Sequence, residues 1–86
     1  MRPFTKARIE GIKTHKDMSV FIGELHQDFL ANSESWENRT LSNFLEALAA
    51  WTNDMDGYYL NIGSEVPTEP KWSTFADMLI AATMYE

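Results

Sequence analysis

Three stretches of this chain place their apolar residues three and four positions apart, and no stretch alternates. Met18, Phe21, Ile22, Leu25 and Phe29 form the first stripe; Leu41, Phe44, Leu45, Leu48 and Trp51 form the second. Trp72, Phe75, Ala76, Leu79 and Thr83 form the third. Residues at that spacing share one face of a helix, and each such face needs another element to cover it. Three faces in a chain of 86 residues imply an all-α fold, a small bundle around one core. Trp51 and Trp72 are expected to be its largest fillers.

Local signals set the helix boundaries. Thr14 with Asp17 three residues on reads as a variant capping box, and Asn32-Ser33 supplies a stop, which predicts a helix over about 15–31. Glu24, Gln27 and Asp28 are expected on its solvent side. Thr40 is a good N-cap for a second helix over about 41–53. Its Ala47, Ala49 and Ala50 permit close approach of a neighbour. Pro70 suits a helix's first turn and opens a third helix over about 70–85.

Two segments read less simply. Residues 5–12 form either a short N-terminal helix packing Ile9 and Ile12 or an extended lead-in, with Gly11 arguing against a long helix. Residues 54–69 hold Gly57, Gly63, Pro67 and Tyr58-Tyr59, and read as a long ordered loop with at most one helical turn. Loops of that length in small domains are more often functional than short ones. The whole chain, 1–86, is expected to be one helical domain with residues 1–13 as its lead-in.

Composition narrows the classes of function. With no cysteine there is neither a disulfide nor a cysteine-based zinc site, and a reducing, cytoplasmic setting is expected. Residues 1–6 lack the apolar core of a signal peptide. The longest purely apolar runs, 47–51 and 78–82, are five residues each, against the roughly 20 of a membrane-spanning helix. Charge is unevenly placed within the net of −6. Residues 1–16 carry five cations against one acid, a net of +4, and residues 17–86 carry two cations against twelve acids, a net of −10. An acidic body repels phosphate backbones, so neither a nucleic acid nor a membrane is an expected partner.

Certain residues also mark a resemblance. Trp36-Glu37-Asn38, Thr40-Leu41, Phe44-Leu45-Glu46-Ala47 and Trp51 precede an acidic stretch with tyrosines, Asp54-Met55-Asp56-Gly57-Tyr58-Tyr59. Trp72-Ser73-Thr74-Phe75-Ala76 and Tyr85-Glu86 close the pattern. Over residues 14–86 the chain resembles a family of short bacterial all-α proteins of unknown function. The resemblance implies a small helical domain and brings with it no catalytic residue, substrate or cofactor.

Tests for known chemistries leave little. Counted as a calcium loop from Asp54, Asp56 falls at position 3 and Glu65 at position 12, but Tyr58 and Tyr59 occupy positions 5 and 6. Those positions require an oxygen ligand and a glycine. His15 and His26 would stand about 16 Å apart on a helix and cannot share a metal. No Gly-x-Ser-x-Gly elbow surrounds any serine, and the acid pairs Asp54/Asp56 and Glu34/Glu37 suit a solvated surface. No enzyme activity, metal or cofactor is expected.

What remains is a polar and aromatic set. Trp36, Glu37, Asn38, Asp54, Asp56, Tyr58 and Tyr59 are the candidate partner-binding residues, because Trp and Tyr are enriched at binding hot spots. The bland alternative packs Trp36 on the bundle, bonds Asn38 to loop backbone and gives each tyrosine hydroxyl an acceptor. The two groups meet only if residues 54–69 fold back along the second helix. The expected role is therefore a small acidic interaction protein that engages a basic protein, an antitoxin or immunity-type protein being one version. A small-ligand binder built around Trp36, Asn38, Tyr58 and Asp54 is an alternative. So is a homodimeric structural subunit that buries exposed Met and aromatic positions; monomer and homodimer stay open.

Overall fold

The protein, seen in a computed structural model, is described over residues 4–85. Residues 1–3 of the lead-in and the closing Glu86 lie outside the described residues. Helix α1 spans Lys6–Glu10, α2 His15–Asn32, α3 Leu41–Asn61 and α4 Trp72–Ala82, with a short 3₁₀ turn at Ser33–Ser35. The described residues contain no strand, and the small all-α bundle is the observed architecture. Among them no helix is long and apolar enough to cross a membrane.

The caps form as their residues dictate. The Asp17 amide donates to the Thr14 hydroxyl at 3.1 Å, while the Asp17 carboxylate accepts from the amides of Thr14 (3.2 Å) and Lys13 (3.0 Å). Thr40 caps α3 by accepting from the Asn43 amide at 3.1 Å. Thr5 caps α1 in the same way through Arg8. Residues 5–12 thus resolve to the short helix, with Ile9 and Ile12 both buried.

Helix α3 runs eight residues beyond the expected end, so Asp54–Asn61 is helix and the loop is correspondingly shorter. The reason is packing. Met55, Tyr58 and Tyr59 follow Trp51 at i+4, i+7 and i+8, and the two tyrosine rings lie 5.3 and 6.4 Å from the Trp51 ring. That contact offsets the roughly 1 kcal/mol cost of Gly57 inside a helix. The helix stops at Gly63, whose φ of +73° is left-handed. The Ser64 amide reaches back to the Tyr59 carbonyl at 2.9 Å and the Gly63 amide to the Leu60 carbonyl at 3.2 Å, which is a Schellman motif.

Helix α4 is the hub: it packs against α1, α2 and α3, whereas α2 and α3 make no direct backbone approach to one another. Small residues permit this, with Ala47 on α3 and Ala76 and Ala82 on α4 all buried. Arg8 joins α1 to α2 through Glu24, one guanidinium nitrogen lying 3.0 Å from both carboxylate oxygens.

Three expectations about burial are overturned. Trp72 is 40% exposed while Trp36 is 7% exposed, so Trp36 rather than Trp72 joins Trp51 as a core tryptophan. Trp72 is the first residue of α4, and its ring packs on Phe75 of the same helix at 6.0 Å. Ile22, Leu41 and Leu45 lie at stripe edges and are exposed, Leu41 at 74%. Asp28, expected on the solvent side, is 8% exposed because it serves Trp36.

Candidate functional site

The Trp36-Glu37-Asn38 segment leads from the 3₁₀ turn into α3. The Trp36 indole N–H donates to the Asp28 carboxylate at 2.8 Å, and Asn32 donates to the other oxygen at 3.2 Å. The ring meets Phe29 of α2 edge-on at 5.1 Å and stacks near Phe44 of α3 at 6.0 Å. Trp36 is thus a wedge between two helices whose backbones do not approach one another directly. Asn38 is equally committed. Its side-chain amide donates to the carbonyls of Ala82 (2.9 Å) and Tyr85 (2.8 Å), and its backbone N–H donates to Thr83 at 3.0 Å. The Ala82 carbonyl is the last of α4, where helix geometry leaves acceptors without partners, and those of Thr83 and Tyr85 follow it in the closing segment. Glu37 is exposed.

The other candidates lie elsewhere. At about 1.5 Å per residue α3 is about 31 Å long, nearly the molecule's 33 Å longest dimension. Trp36 precedes its first turn and Tyr58-Tyr59 stand on its last, so the two groups do not meet. Asp54 and Asp56 project from helical turns rather than a loop and are both exposed; Asp54 accepts from the Tyr85 hydroxyl at 2.5 Å.

Around Tyr58 and Tyr59 the molecule opens into a cleft of about 1170 Å³. Its walls are α1 with Lys6 and Glu10, the end of α3 with Trp51 and both tyrosines, the segment 62–71 with Glu65, Glu69 and Lys71, and α4 with Thr74 and Asp77. The Tyr59 ring is buried, and its hydroxyl donates to the Asp77 carboxylate at 2.7 Å. Tyr58 is 40% exposed, its ring 5.0 Å from that of Tyr59.

Electrostatics set this cleft apart. Burial pushes the Asp77 carboxyl above its ordinary value, opposed by the Tyr59 hydrogen bond and aided by the Glu10 charge. Burial and the Asp77 bond together push the Tyr59 hydroxyl well above the usual tyrosine range. Tyr58 is raised as well, by burial and then by the Asp77 charge. Four carboxylates and two ammonium groups thus share a cavity with four aromatic rings, those of Phe4, Trp51, Tyr58 and Tyr59, an arrangement suited to recognising cations.

Of the seven sequence candidates, the structure brings Tyr58 and Tyr59 to the cleft and leaves the other five outside it. Trp51, Glu10, Glu65, Glu69 and Asp77 are lining residues that sequence reasoning missed. A signal for Asp77 was present: it is the one charged residue in the eleven of α4.

No curated protein and no solved structure matches this chain. One family does, over residues 14–86, which takes in α2, α3, α4 and every cleft wall except α1. The chain belongs to DUF7660, a family of unknown function.

Proposed function

We propose that this protein is a binding module, without catalytic activity of its own, whose cleft receives a cationic, extended segment of a partner protein. The observation that carries this reading is the meeting of an aromatic wall, Trp51-Tyr58-Tyr59, with the carboxylates of Glu10, Glu65, Glu69 and Asp77 in one cavity. A cavity of this size exceeds the roughly 300–1,000 Å³ of small-molecule pockets, which favours several residues of a peptide over one small ligand. The acidic body speeds encounter with a basic partner. Neutralisation of a basic toxin is the version of this role that the overall charge favours.

Calorimetric titration of the full chain with an arginine- and glycine-containing octapeptide, beside its glutamate counterpart, tests the reading. Binding of the cationic peptide alone is expected, weakening several-fold between 50 and 300 mM salt as the rim charges are screened. Tyr58→Ala is expected to weaken it; because that ring also packs on Trp51 at 5.3 Å, circular dichroism of the variant checks beside the titration that α3 is intact. Equal binding of both peptides, or of neither, overturns the proposal.

A further inference from the structure

Resting on that reading, the cleft also indicates which cation it reads. Helix α4 carries a single charge, Asp77, among apolar and hydroxyl residues. A lone carboxylate on the hub helix of a small core costs desolvation that a neutral residue would avoid. One of its oxygens accepts from Tyr59 at 2.7 Å. Among the described residues no other donor reaches it and no cation pairs with it, although Lys6 and Lys71 line the same cleft. The Lys6 charge acts on Asp77 from a distance, but Lys6 pairs with Glu10 at 3.9 Å, and neither lysine closes an ion pair with Asp77. Beside it the Tyr58 ring packs edge-to-face with Tyr59 and tilted against Trp51 at 5.3 Å, and its exposed part lines the cleft.

A guanidinium fits these surroundings better than an ammonium. It is planar, so it lies against an aromatic ring while its N–H groups point in-plane to a carboxylate. It is also the more weakly hydrated cation, which reduces the cost of entering a half-buried position. We infer that Asp77 is the specificity-determining residue of the cleft and takes one arginine guanidinium of the partner, its open oxygen accepting the N–H donors while the Tyr58 ring supports the guanidinium plane. Glu10, Glu65 and Glu69 then act on the partner through charge at longer range.

Amide chemical shifts of the ¹⁵N-labelled full chain, titrated with N-acetyl-argininamide, N-acetyl-lysinamide and the neutral isostere N-acetyl-citrullinamide, test this. The arginine probe is expected to shift the amides around Tyr58, Tyr59 and Asp77, the lysine probe to bind several-fold more weakly, and the citrulline probe to leave them in place. Asp77→Asn keeps an acceptor for the Tyr59 hydroxyl, so the fold is expected to stand while the arginine probe loses at least about tenfold in affinity. Asp77→Ser serves if that variant does not fold. Equal affinity of the arginine probe for wild type and variant overturns the assignment, as does equal affinity of the arginine and lysine probes. If the octapeptide then still binds Asp77→Asn at full strength and loses Tyr58→Ala, the cleft reading survives and only Asp77 falls. If neither probe nor peptide binds wild type, both fall.

Discussion

Each end of α3 holds an aromatic donor bonded to a carboxylate, and the two ends put that pair to different uses. At the N-terminal end Trp36 donates to Asp28 at 2.8 Å, and both residues are buried among Phe29 and Phe44. At the C-terminal end Tyr59 donates to Asp77 at 2.7 Å, but the carboxylate faces a cleft of about 1170 Å³. The chemistry is nearly the same, and enclosure separates them. Closed on all sides, the first pair holds α2 to α3. Open on one side, the second has a carboxylate lining the cleft, where the proposed arginine would meet it.

The comparison breaks most visibly at Trp36. Trp36→Ala is expected to lose about 3–5 kcal/mol of stability, from lost burial and the cavity left behind, measured as a urea midpoint. A loss below about 1 kcal/mol contradicts its role as a wedge. Asp28→Ala strands the indole N–H in the core and is expected to cost about 1–3 kcal/mol, visible in the same titration. Gly63→Ala forces a side chain onto a φ of +73°; about 1 kcal/mol is expected, detectable as a lowered melting temperature.

At the open end the effects are smaller and change sign. The folded protein holds Asp77 above the ordinary 3.8, chiefly by burial. As pH rises from 3.8, the unfolded chain releases this proton first, so Asp77 contributes a fall in stability until its raised folded value is passed. Asp77→Asn is expected to remove that fall and to leave the protein slightly more stable at pH 7, by less than about 1 kcal/mol after solvent screening. Asp17 runs the other way. Hydrogen bonding, the Lys13 amide first, holds it below 3.8, so its support is present above that value and fades as pH falls below it. Urea midpoints of wild type and Asp77→Asn across pH 3–8 separate the two. A difference that does not grow above pH 4 argues against a carboxylate held above its ordinary value.

Much of the fold was legible residue by residue. Thr14-Asp17 and Thr40 act within three positions of themselves, so their capping follows from spacing alone. The α2 and α3 starts accordingly fall where the sequence puts them, and the resemblance over 14–86 is matched by the family's span. The end of α3 was not legible, because Gly57 and an acidic stretch signal a loop until the contact of Trp51 with Tyr58 and Tyr59 is known. Of the candidate site, Tyr58 and Tyr59 were found for their residue type. Trp36 and Asn38 were singled out on the same ground, and their side chains turned out to bond within the fold.

By itself the sequence determined that this chain is helical, where α2 and α3 begin, and that its body is acidic. Those properties depend on neighbours within a few positions, or on composition. Tertiary structure alone decided which tryptophans enter the core, that Asp28 turns inward and that Asp77 faces a cleft. An apolar stripe is wider than the contact it makes, so several rotations of each helix satisfy it equally. The choice among them is set by partners tens of residues away, as Asp28 is by Trp36 across a turn and Asp77 by Tyr59 across the bundle.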